Sequence, residues 1–245
     1  MIYVTGDTHG DWNRFRRDIL PCAGGWGADD TLIICGDFGF VFYPEQTPAE
    51  AEALRRMSEL PFTIAFCDGN HENFPRLYRF PEVSWREGTA HRLADNVFHL
   101  MRGERYVIGG KTVLAMGGGY SIDKSYRREG LSWWPEEMPS PAEYARCRRT
   151  MGAMKHGCDL IVTHAAPLHI MRTLRFNPGP EAPLSEFLEE MRLSMRYDRW
   201  YFGHLHIDRA FAGSVTGLMY DVRNAVTGEK VPPPAQAESG VPAQA

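Results

Sequence analysis

The sequence has few cysteines, no long apolar run and no excess of basic charge. Its five cysteines (Cys22, Cys35, Cys67, Cys147 and Cys158) are an odd number without a C-x-x-C pair. That is poor material for a disulfide framework or a structural zinc site, and it fits a reducing cytoplasm. No uninterrupted apolar stretch reaches the roughly 20 residues of a membrane-spanning helix. The first apolar residues, Ile2 to Val4, run straight into a polar motif and leave no room for the parts of a secretory leader. A cytoplasmic protein away from any membrane is therefore expected. The formal net charge of -4 over 245 residues lacks the basic field of non-specific nucleic-acid binding, although a local basic patch stays open.

What is present is an alternation of short β-rich runs with helical patterns, which argues for an α/β fold in one catalytic domain over residues 1–230. Strands are expected at 1–5, 31–35 and 62–66, with helices at 11–20 and 48–60. Thr47-Pro48-Ala49-Glu50 reads as a capping box with proline at the first helical position. Closely spaced strands follow at 97–101, 105–108 and 112–116, the last two joined by Gly109-Gly110. Ser140-Pro141-Ala142-Glu143 opens a helix to about 155, with Gly157 placed to end it. Strands at 160–163 and 199–202, a helix near 184–195, and late strands near 209–212 and 218–222 complete the pattern. Residues 231–245, rich in Pro and Ala, carry too little apolar surface to fold and are expected to be disordered.

The polar motifs fall just after predicted strands, where open α/β sheets place their ligand sites. They are Asp7-Thr8-His9, Gly36-Asp37, Gly69-Asn70-His71-Glu72, Thr163-His164 and Gly203-His204-Leu205-His206. Besides His71, the set offers two carboxylates, one carboxamide oxygen and four imidazoles, a mixed field for two divalent ions. It suits Mn, Fe or Zn better than Ca, with Mn2+ expected first. Two ions about 3.5–4 Å apart polarise a phosphoryl oxygen and generate hydroxide at neutral pH. His91, His99, His156 and His169 fit no metal spacing. Cys35 and Cys67 read as small buried hydrophobes.

The order D-x-H, G-D, G-N-H-E, H and G-H-x-H resembles the calcineurin-like metallophosphoesterase superfamily, over nearly the whole chain up to about residue 222. The resemblance implies a four-layer α-β-β-α sandwich of two mixed sheets flanked by helices. It also implies that Asp7, His9 and His206 bind a first metal, that Asn70, His164 and His204 bind a second, and that Asp37 bridges them. His71 matches the catalytic histidine that contacts the phosphate and helps to protonate the departing alkoxide, a role that an unperturbed histidine can fill near neutral pH.

One departure stands out. Phosphoprotein phosphatases of the superfamily continue as G-D-x-x-D-R, whereas here the run is Gly36-Asp37-Phe38-Gly39-Phe40-Val41. The acid that orients the histidine and the arginine that binds phosphate are both missing, so any partner of His71 must come from elsewhere. In the segment 120–134, Lys124, Arg127, Trp133 and Trp134 interleave basic and aromatic groups that suit a phosphate and a nucleobase. The same residues equally suit a loop anchored by its tryptophans with solvated cations.

The expected function is hydrolysis of a phosphate ester by a metal-bridging hydroxide, with a modest preference for a phosphodiester or nucleotide-type small molecule. A phosphomonoesterase, including a serine/threonine protein phosphatase, is the alternative enzyme. A non-catalytic scaffold of the same fold is disfavoured because no ligand is missing, and a nuclease is disfavoured by the acidic net charge. Protein partners are left open.

Overall fold

The computed structural model describes residues 1–16, 20, 25–155 and 157–232. Cys22, His156, residues 17–19 of the expected first helix and residues 233–245 of the expected disordered tail lie outside them. The first part of the chain runs β1 (Ile2–Thr5), β2 (Thr31–Cys35), α1 (Pro48–Ser58), β3 (Thr63–Cys67) and α2 (Phe74–Leu77). Five closely spaced strands follow: β4 (Glu82–Trp85), β5 (Gly88–Ala94), β6 (Val97–Leu100), β7 (Arg105–Ile108) and β8 (Lys111–Met116). Next come α3 (Pro141–Ala153), β9 (Cys158–Thr163), α4 (Leu168–Thr173), α5 (Ala182–Ser194) and β10 (Tyr197–Phe202). Last are β11 (Arg209–Phe211), β12 (Val215–Gly217) and β13 (Arg223–Asn224).

Among the described residues these strands form two sheets, ordered β13-β1-β2-β3-β6-β5-β4 and β11-β12-β10-β9-β8-β7. Both are mixed: β1, β2, β3 and β6 pair in parallel, as do β8, β9, β10 and β12, while the outer strands pair antiparallel.

The layering follows from the alternation of side chains along each strand. Ile33 and Cys35 of β2, Val113 and Ala115 of β8, and Leu160 and Val162 of β9 meet in one cluster between the sheets. Their neighbours point the other way. Leu32, Ile34, Ile64 and Phe66 pack under Ala53, Leu54 and Met57 of α1. Leu114, Ile161, Trp200 and Phe202 pack under Ile170 of α4 and Leu184, Phe187 and Met191 of α5. The result is the four-layer sandwich of two mixed sheets with flanking helices that the resemblance implied.

Local chemistry fixes several elements. Thr47 and Ser140 each cap a helix, and Glu50 and Glu143 return the bond to the cap backbone, so both capping boxes form. Gly109 and Gly110 take φ of 54° and 77° and close the β7–β8 hairpin, a turn that needs positive φ at both central residues.

Two expectations are corrected. Within the expected first helix, the described residues form a 3-10 turn at Trp12–Phe15, capped by Asp11. The late strand at 218–222 is instead β12 at Val215–Gly217. Beyond it the amides of Met219, Tyr220 and Asp221 donate to the Asp208 carboxylate, so a side chain replaces a neighbouring strand as their acceptor.

Candidate metal centre

The loops after β1, β2, β3, β9 and β10 bring Asp7, His9, Asp37, Asn70, His164, His204 and His206 together. Close approach explains the glycines of the motifs. A Cβ on Gly69 would lie 2.1 Å from Asp37 Oδ1, and one on Gly203 would lie 2.1 Å from Asp7 Oδ1. His9, Asp37, His204 and His206 all have positive φ, between 47° and 63°, a conformation costly for residues with a Cβ and concentrated at functional sites.

Asp37 stands at the middle. On one side, one atom each of Asp7, His9, Asp37 and His206 lie within 4.8 Å of one another. His206 Nε2 is 3.2 Å from Asp7 Oδ2 and 3.1 Å from His9 Nε2. On the other side, His164 Nε2 is 3.3 Å from Asp37 Oδ1, 3.1 Å from Asn70 Oδ1 and 3.1 Å from His204 Nδ1.

Partners outside this set orient the rings. His164 Nδ1 donates to the Cys35 carbonyl oxygen at 2.9 Å, which leaves a lone pair on Nε2. His204 Nε2 lies 2.9 Å from Glu181 Oε2, which leaves a lone pair on Nδ1. Ser121 Oγ donates to Glu137 Oε2 at 2.8 Å and so accepts from Asn70 Nδ2 at 3.1 Å, turning Asn70 Oδ1 inward. Lone pairs therefore converge from Asp37, Asn70, His164 and His204, and such a set of acceptors calls for a cation. The donor set fits divalent transition ions on both sides of Asp37.

The electrostatics agree. Burial works against ionisation of Asp37, but the rings of His164, His71, His9 and His204 outweigh it and bring the carboxyl down to about 2. Burial lowers the proton affinity of His204, yet Glu181, Asp37 and Asp7 prevail and raise it to about 9. Carboxylates that hold a proton so firmly would hold a cation in its place.

A family model for calcineurin-like phosphoesterases matches residues 1–208. The chain belongs to that family. No significant match is found among curated proteins. As a calcineurin-like phosphoesterase, the chain places His71 beside the metal-type residues: its backbone N–H donates to Asp37 Oδ1 at 2.8 Å. Burial lowers the pKa of the His71 ring to about 4, helped by Arg127 and opposed by Asp37.

This phosphoesterase also supplies its histidine with an unexpected neighbour. Arg127 Nη2 lies 3.0 Å from His71 Nε2, and Asp123 holds the Arg127 guanidinium at 2.8 Å. Phe40 and Val41, which stand where the phosphatase acid and arginine would be, are buried.

Of the other three residues singled out in this loop, none lines the cavity beside His71. Lys124 Nζ sits 2.6 Å from buried Glu137 Oε1 and over the rings of Tyr120 and Trp133. Trp134 is buried with its ring edge-on to Phe42. These contacts follow the loop-anchoring alternative. Sequence reasoning missed Glu181, Ser121 and Glu137, which act at long range and carry no motif.

Proposed function

We propose that this calcineurin-like phosphoesterase is a dinuclear-metal enzyme that hydrolyses a phosphate ester, with a preference for a phosphodiester or nucleotide-type substrate. The observation that carries the reading is the convergence of oriented lone pairs on both sides of Asp37. Asp7, His9 and His206 would hold one ion, Asn70, His164 and His204 the other, and Asp37 both. Such ions, Mn2+ first and Fe or Zn as alternatives, supply Lewis-acid polarisation of a phosphoryl oxygen and acidify water.

The chain's own groups do the rest. Arg127 anchors the phosphate, a role that the buried Phe40 and Val41 cannot fill. An anionic ester drawn against Arg127 counters the burial of His71 and raises its proton affinity, so that the ring can pass a proton to the departing oxygen. Among the described residues, Arg127 is the one cationic side chain of Lys or Arg type lining the cavity, and Asp123 already half-neutralises it. That charge count favours a singly charged diester over a doubly charged monoester. Cys35, Cys67, Cys147 and Cys158 are free and buried, which supports the cytoplasmic assignment, and among the described residues no helix is long and apolar enough to cross a membrane.

The test is hydrolysis of bis(p-nitrophenyl) phosphate and p-nitrophenyl phosphate after loading with Mn2+, with Asp37→Ala and His71→Ala as controls. Metal-dependent turnover that prefers the diester and is lost in both variants is expected. Preference for the monoester would overturn the substrate reading, and absence of metal-dependent turnover would overturn the enzyme.

A further inference from the structure

His71 lines two cavities. The first, about 460 Å³, is lined by Asn70, His71, His204 and Arg127 together with the apolar Ile122 and Phe176. The second, about 310 Å³, shares only His71 with the first. It is lined by His9, His71, Phe42, Tyr43 and Ala49. Metal-type residues border both, so a phosphorus atom held beside His71 has room for a substituent in each.

Size and surface favour use of both. A cavity of ~150 Å³ already admits a benzene ring, and both spaces are larger. Each also presents large apolar side chains that an organic substituent would cover. Ile122 is 91% exposed and Phe176 48%, while Tyr43 is 52% exposed in the second cavity. The second cavity is the more aromatic. Phe42 stacks on His71 with ring centroids 5.7 Å apart and planes at 22°, and Tyr43 stands edge-on to Phe42 at 5.6 Å. A monoester would leave one of the two spaces to water.

We propose that the substrate is a phosphodiester with a sizeable substituent on each side of phosphorus, one in each cavity, and that the Phe42 and Tyr43 cavity takes a planar ring. The inference rests on the phosphoesterase reading above and names its substrate class. In the reaction, water adds its oxygen to phosphorus and one P–O ester bond breaks. A proton goes to the departing oxygen, and the other substituent leaves as a phosphomonoester.

Ala49 is exposed in the first turn of α1, outside the metal-type set, and Ala49→Trp fills the second cavity from its rim. The first readout is binding of diphenyl phosphate and phenyl phosphate to the Mn-loaded protein by calorimetry, with thermal melts to check folding. The wild type is expected to bind the diester more tightly by about tenfold or more, the effect of burying one further ring. Ala49→Trp is expected to remove that difference. Equal effects on the two ligands, or none, would overturn the proposal.

The second readout is turnover. Ala49→Trp should cut kcat/KM for bis(p-nitrophenyl) phosphate and spare methyl p-nitrophenyl phosphate, whose methyl group needs no second cavity. Equal loss for both would likewise overturn it. If the wild type hydrolyses neither ester, the phosphoesterase reading fails, and the binding comparison still decides the two-cavity inference.

Discussion

The Nε2 of His204 lies 2.9 Å from Oε2 of Glu181, a buried carboxylate at the start of α5. This contact fixes the ring so that Nδ1 faces His164 and Asn70, and it strengthens the ring as a donor. Glu181→Gln keeps the volume and removes the charge. Metal affinity on that side of Asp37 is expected to fall roughly 10- to 100-fold, read by competition with a chelating dye. Unchanged affinity would show that Glu181 serves only to hold Tyr120, whose N–H also donates to Oε2.

Removal of the Arg127 guanidinium should alter both the affinity for substrate and the titration of His71. Burial is the main reason that His71 stands at about 4, and Arg127 adds to it. Arg127→Ala should therefore move the His71 pKa upward, followed by NMR, and should move the alkaline limb of the pH-rate profile, where the proton donor is lost, the same way. The lost charged contact to phosphate should raise KM about tenfold or more. An unmoved His71 titration would contradict the contact at 3.0 Å.

Asn70 presents its oxygen because Ser121 accepts from its amide nitrogen. Ser121→Ala frees that amide to rotate, so weaker metal binding on the His164 side is expected, with the fold intact by circular dichroism. Asn70→Asp in the same background needs no such orientation, since both carboxylate oxygens accept, and should restore binding. Failure of that rescue would assign Ser121 to packing alone.

How much of this was legible depended on the range of the interaction. The boxes at Thr47 and Ser140 and the Gly109-Gly110 turn are complete within a few residues, so the sequence displays them whole. The candidate ligand set was legible because each motif that carries it follows its own strand. β4 and β5 were missed because both are short of buried apolar residues and give little apolar signal. Glu181 and Glu137 were missed for a different reason: each is a buried acid whose partner lies on a distant segment. Lys124 looked like a substrate cation only until Glu137, 13 positions on and fully buried, was placed beneath it.

Asp68, next to the Gly69-Asn70-His71 loop, is buried against Arg102, whose Nε donates to it at 2.8 Å, and against His99 at 3.0 Å. Arg102→Met keeps the side chain's length but leaves a buried carboxylate short of its main partner. A loss of about 3–5 kcal/mol in urea unfolding is expected. A neutral outcome would mean that water or His99 already satisfies Asp68.

Asp159 joins β9 to β8 at the far end of the sheet. Its Oδ1 lies 2.7 Å from Lys111 Nζ, and its Oδ2 accepts from Thr112 N at 2.8 Å and Thr112 Oγ1 at 2.7 Å. Burial opposes ionisation, but these contacts prevail and lower the carboxyl from 3.8 to about 2. The unfolded chain then binds the proton more readily than the folded one between those values. The resulting stability is fully present above about pH 4 and is lost as pH falls toward 2. Solvent around the pair reduces its size, so Asp159→Asn should cost on the order of 1 kcal/mol at pH 7. In urea titrations the wild type and variant should converge on acidification through this window; parallel curves down to pH 2 would show that the deficit comes from geometry and not from charge.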